Sequence, residues 1–69
     1  MKIETISVAE ATERLRALGV KISSPTLRAG LQQGVYPFGV CIQPEDEDGH
    51  PVYQIFVRLL DQWIEERAS

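Results

Sequence analysis

Ser23-Ser24-Pro25-Thr26-Leu27-Arg28-Ala29-Gly30-Leu31-Gln32-Gln33-Gly34 holds a helix start, a short helix and a helix stop within twelve residues. Ser24 carries an oxygen that can accept from first-turn amides. Pro25 suits the first helical position, where its missing N–H is not needed, and Gly34 can adopt the left-handed conformation that closes a helix. These signals predict a helix over residues 24–33. Just upstream, a second helical pattern ends at Leu18-Gly19. Two short helices joined by a turn of a few residues, in so small a chain, favour a helix-turn-helix of the DNA-binding kind over other pairings.

Leu27 and Leu31 lie four apart with Gly30 on the same face, so this helix can press closely on a neighbour where glycine removes a side chain. Its opposite surface carries Thr26, Arg28, Gln32 and Gln33, side chains suited to base edges or phosphates in a major groove. A solvated polar helix face has the same composition, so this surface is read together with its context. The preceding helix is expected near residues 7–18. Ser7-Val8-Ala9-Glu10 has the form of a capping box, and Val8, Ala11, Leu15 and Leu18 make one apolar stripe. Glu10 and Arg14 form a four-residue charge pair off that stripe.

After Gly34 the periodicity changes. Residues 38–43 and 52–55 are rich in aromatic and β-branched side chains, and the turn between them contains Gly49 and the acids Glu45-Asp46-Glu47-Asp48. An antiparallel hairpin follows. Beyond it, Leu59, Leu60, Trp63 and Ile64 give the apolar face of a third helix over residues 57–67, with Trp63 as a core anchor. Tyr36 and Phe38 are expected to pack on the core or hairpin. Residues 1–6 are expected to add a short strand or to lie on the core through Ile3 and Ile6. The whole chain thus reads as one domain, mainly α with a small β-hairpin and about three helices.

The 69 residues leave room for a single small core, and 43% hydrophobic content is enough to fold it. Cys41 is the only cysteine and His50 the only histidine, which excludes an internal disulfide and a zinc site. Cys41 sits between Val40 and Ile42 and reads as a small strand or core residue. Asp46, Asp48 and His50 alternate in the acidic turn, where an exposed histidine is the simpler reading than a metal ligand. No serine or cysteine has an evident base partner and the carboxylates cluster in a turn, so an enzyme is not expected and no cofactor is called for. No membrane span or signal segment is apparent, and a cytoplasmic location is the default expectation.

The formal net charge of −3 is unlike that of most polyanion binders, but it is unevenly distributed. Residues 1–34 carry +2, with Lys2, Arg14, Arg16, Lys21 and Arg28 as their cations, and residues 35–69 carry −5. The half with the capped helix is the basic half.

Taken in order, Ile6-Ser7-Val8-Ala9-Glu10-Ala11, Ser24-Pro25-Thr26-Leu27-Arg28, Leu31-Gln32-Gln33-Gly34-Val35-Tyr36-Pro37-Phe38-Gly39, Tyr53-Gln54-Ile55 and Leu60-Asp61-Gln62-Trp63 resemble a known family. It is the small helix-turn-helix proteins of phages and integrative elements in Gram-positive bacteria, related to excisionase and MerR-like DNA-binding domains. The resemblance implies a winged helix-turn-helix whose second helix enters the major groove while the hairpin touches adjacent backbone or minor groove. It implies double-stranded DNA as partner, sequence-specific binding, and a role as an excisionase-like recombination directionality factor or a transcriptional regulator. Cooperation with a tyrosine recombinase or with further copies of the chain fits the small surface one module offers.

The expected DNA-contacting residues are Ser23, Ser24, Thr26, Arg28, Gln32, Gln33, Arg14, Arg16 and Lys21. The chain departs from the family in two places. Four acids at the wing tip oppose phosphate contact, and Phe56 stands where relatives place a polar helix cap, as if enlarging the core instead. The alternative function is a protein-interaction module on the same fold, with an acidic wing and little DNA affinity.

Overall fold

The computed structural model describes residues 1–68. Its elements run β1 (Thr5–Ile6), α1 (Val8–Ala17), α2 (Ser24–Gln33), β2 (Gly39–Ile42), β3 (Val52–Phe56) and α3 (Val57–Arg67). The three helices accompany a small antiparallel sheet in the order β1-β3-β2, a mixed α/β arrangement. Of the two forms expected for residues 1–6, the short strand is the one adopted, and it adds β1 to the expected hairpin. Thr5 pairs with Phe56 and Ile6 with Ile55, so the segment before α1 protects the outer edge of β3.

Both helices before the sheet begin and end on the chemistry of their own termini. Ser7 caps α1 by accepting from the Glu10 amide at 3.1 Å. Glu10 does not complete a reciprocal box; its carboxylate instead lies 3.6 Å from the Arg14 guanidinium. At the other end Gly19 has φ 93°, the Val20 amide donates to the Leu15 carbonyl and the Gly19 amide to that of Arg16. Gly34, with φ 72°, repeats this closure for α2 through Val35 to Gly30 and Gly34 to Leu31. Ending α1 at Ala17 has a cost for the expected stripe: Leu18 is turned away and is 61% exposed.

The α2 cap falls one residue earlier than expected. Ser23, not Ser24, is the N-cap, accepting from the Thr26 amide at 3.4 Å, and Pro25 lies within the first turn one position further in. Ser24 is left free to turn inward. Its hydroxyl donates to Thr12 Oγ1 at 3.3 Å, while Thr12 donates to the Val8 carbonyl at 2.8 Å. Thr12 is the one buried polar side chain among the described residues, and these two bonds satisfy it.

The core is Ala11 and Leu15 of α1, Leu27 and Leu31 of α2, Phe38 before β2, Ile55 of β3 and Leu60 of α3. Strand alternation turns Tyr53 and Cys41 toward it along with Ile55, leaving Val40, Ile42 and Val52 on the open face. Phe56 follows that alternation and lies with Thr5 on the open side, where it lines an apolar groove with Met1, Ile3 and Leu59. It does not enlarge the core, and Ile3, 76% exposed, does not lie on it either. The missing side-chain cap of α3 is replaced by backbone, since the Val57 amide donates to the Glu4 carbonyl at 3.0 Å.

An aromatic cluster joins α2 to α3. Tyr36 stacks on Phe38 at 5.2 Å between ring centroids, and Trp63 meets Phe38 edge-on at 5.3 Å. The Tyr36 ring lies directly against the backbone of Gly30, where a Cβ would overlap its carbons. Gly30 is buried, so the close approach anticipated for this helix face is made with an aromatic ring.

Gly30→Ala is therefore expected to lower stability by about 1–3 kcal/mol in urea or thermal unfolding, because the ring cannot withdraw without unstacking. A gain of about 1 kcal/mol, the helix-propensity effect alone, would contradict this packing. The shifted cap makes a second comparison. Ser23→Ala should cost about 1 kcal/mol in the parent and in Thr12→Val alike, whereas the cost of Ser24→Ala, about 0.5–1.5 kcal/mol for its bond to Thr12, should largely vanish in Thr12→Val. A loss at Ser24 that persists in Thr12→Val would return the cap to Ser24.

Candidate nucleic-acid interface

The surface of interest begins with what α2 buries. With Leu27, Gly30 and Leu31 facing inward, the helix turns Thr26, Arg28, Gln32 and Gln33 outward, all exposed. Among the described residues Arg28 and Gln33 make no ion pair or side-chain hydrogen bond, so their donors are available to a ligand. Ser23 and Thr26 are partners of each other, their hydroxyls 2.9 Å apart at the exposed start of the helix.

The turn between α1 and α2 extends this surface. Arg16, Lys21, Ser23 and Thr26 line one open concavity of about 570 Å³ with Val20 and Ile22 in its floor. Four of the nine expected residues thus meet at the N-terminal end of α2. Arg16 and Lys21 are exposed and form no ion pair among the described residues. Arg14 stands apart from this concavity and is engaged with Glu10, an exposed pair worth little energetically. Ser24 is also not part of the outward surface, because its hydroxyl lies between α1 and α2 on Thr12.

At the C-terminal end of α2 the neighbour is the hairpin. Gln32 Nε2 donates to the Tyr53 hydroxyl at 2.7 Å, bridging the last turn of the helix to β3. Tyr53 is not among the DNA-contacting residues expected from the sequence. It shares the inner face with Ile55, and a half-buried tyrosine needs a partner for its hydroxyl, but nothing local names a residue 21 positions away.

The same register locates the acids. Cys41 pairs with Tyr53 and Ile42 with Val52, after which the chain enters the turn holding Glu45, Asp46, Glu47 and Asp48, all exposed. The surface is therefore polar along α2: uncompensated cations adjoin its first turn, and a cluster of four acids follows the strand pair beside its last. Exposed charges act over about a Debye length, ~8–10 Å in ordinary salt, so the cations at the first turn act locally despite the net negative charge. Asp46, Asp48 and His50 do not converge; among the described residues no three His, Cys, Asp or Glu side chains are placed to hold a metal ion.

No described helix is long and apolar enough to cross a membrane. Comparison with known proteins gives no match for this chain, whether with family models, with curated proteins or with solved structures.

Proposed function

We propose that α1, its turn and α2 form a helix-turn-helix with the β2–β3 hairpin as its wing, and that the chain is a sequence-specific DNA-binding protein. Arg28, Gln32 and Gln33, exposed on the side of α2 away from its buried positions, together with Arg16 and Lys21 in the concavity at its start, carry this reading. These side chains combine uncompensated positive charge with amide and guanidinium donors on a helix fixed from behind by its own core face. In this arrangement Lys21 and Arg16 hold phosphate, Arg28 and the glutamines meet base edges, and the acidic hairpin turn stays off the backbone.

The expected affinity of one copy is modest, since the cations are few and the hairpin tip is repulsive. Adjacent copies on DNA, or a tyrosine recombinase bound nearby, supply the remainder through effective concentration. This suits a phage or mobile-element protein acting as an excisionase-like directionality factor or a transcriptional regulator. A second reading has one observation in its favour: Val40, Ile42 and Val52 are 43–52% exposed on the open face of the sheet, beside the acidic turn. That surface fits a protein-interaction module with little DNA affinity.

Selection of bound duplexes from a random pool separates the two readings. Enrichment of a defined motif is expected; no retained duplex even at low salt would overturn the DNA-binding reading and favour the interaction module. On the selected motif, Arg28→Ala should weaken binding by about 1–3 kcal/mol if the guanidinium meets a base, or lower the salt slope by about one if it meets phosphate. Unchanged affinity and slope would remove Arg28 from the interface.

A further inference from the structure

We infer that Gln32 and Tyr53 act as one reading unit, in which the tyrosine hydroxyl fixes the glutamine amide for recognition of an adenine in the major groove. The inference rests on α2 being the DNA-facing helix and adds to it a base identity and a positioning residue. A glutamine amide has two N–H donors and a carbonyl oxygen that accepts. In this structure Nε2 is held by Tyr53 at 2.7 Å, which uses one N–H. The other N–H and Oε1 have no partner among the described residues, and the side chain is exposed on the outward face of α2. A donor and an acceptor side by side match adenine, whose N7 accepts and whose N6 amino group donates. No other base offers that pair on its major-groove edge in the same order.

Tyr53 is what makes the match selective. It is anchored on the inner face of the sheet, packed against the core and paired across the ladder with Cys41, so its hydroxyl is a fixed point. A free glutamine on a helix surface rotates about its side-chain bonds and presents its amide in either sense, favouring no base strongly. The tether removes the side chain's rotation before binding, and with Nε2 as the bonded atom, as here, the presented pair is N–H and Oε1; the reversed amide, its Oε1 accepting from the hydroxyl, would present two N–H donors and select guanine instead. Tyr53 acts here through Gln32 and is a positioning residue.

The test compares the parent protein with Tyr53→Phe and Gln32→Ala in the random-duplex selection, with thermal unfolding of each variant to establish that it folds. The parent is expected to select a motif containing one position with about a tenfold preference for adenine. Gln32→Ala should erase the preference at that position alone. Tyr53→Phe, which keeps the ring and removes only the hydroxyl, should reduce it several-fold while the rest of the motif persists. A purely structural role for Tyr53 would weaken all positions together, and that outcome overturns the inference, as does an unchanged motif in Tyr53→Phe or a base other than adenine at the Gln32-dependent position. No motif for the parent protein overturns the DNA-binding reading itself, which is a distinct outcome.

Discussion

The absence of a side chain at Gly30 is the constraint on which the arrangement depends. It lets the Tyr36 ring rest against the backbone of α2, and that ring stacks on Phe38, which in turn meets Trp63 of α3. Helix α2 is thereby tied to the segment before β2 and to the last helix through one aromatic cluster, while Leu27 and Leu31 bind it to the common core. A helix of ten residues is too short to hold its shape alone in water. Its outward face exists as a defined surface because three buried positions fix its rotation from behind.

The charge distribution gives that surface a direction. Arg16 and Lys21 adjoin the first turn of α2, and the acids of the hairpin turn follow the strands to which its last turn is bonded. The net charge of −3 therefore describes the whole molecule poorly at the scale of one contact, because screening confines each end to its own neighbourhood. The cations at the first turn of α2 are thus the local charge that its outward face presents.

Much of the fold was legible because its signals are local. Ser7, Gly19 and Gly34 mark helix ends through their own backbone preferences, and β-branched and aromatic content marks the strand pair, although with Val40, Ile42 and Val52 as apolar as Cys41, Tyr53 and Ile55 it does not mark which face turns inward. The errors arose where a neighbour distant in sequence decides. Two adjacent serines offer the same capping chemistry, and Ser24 is drawn away from it by Thr12 of the other helix. Phe56 looked like core by its hydrophobicity, yet β3 pairs with β1 in a register that turns it outward. The short strand expected within residues 1–6 is present at Thr5 and Ile6, and only its pairing with β3 has no local signature. At the site, Arg28 and Gln33 could be placed on an outward face from helical spacing, whereas the Gln32 to Tyr53 bond depends on how the sheet packs beside α2.

The most direct test of this account is residue-resolved: nuclear magnetic resonance of the labelled protein during titration with a mixed-sequence duplex at low salt. The amides of Arg16, Lys21, Thr26, Arg28 and Gln33 are expected to shift together, with Val40, Ile42 and Val52 unmoved. Perturbations centred on those three valine and isoleucine positions, or none anywhere at saturating duplex, would contradict the claim that the outward face of α2 is the contact surface.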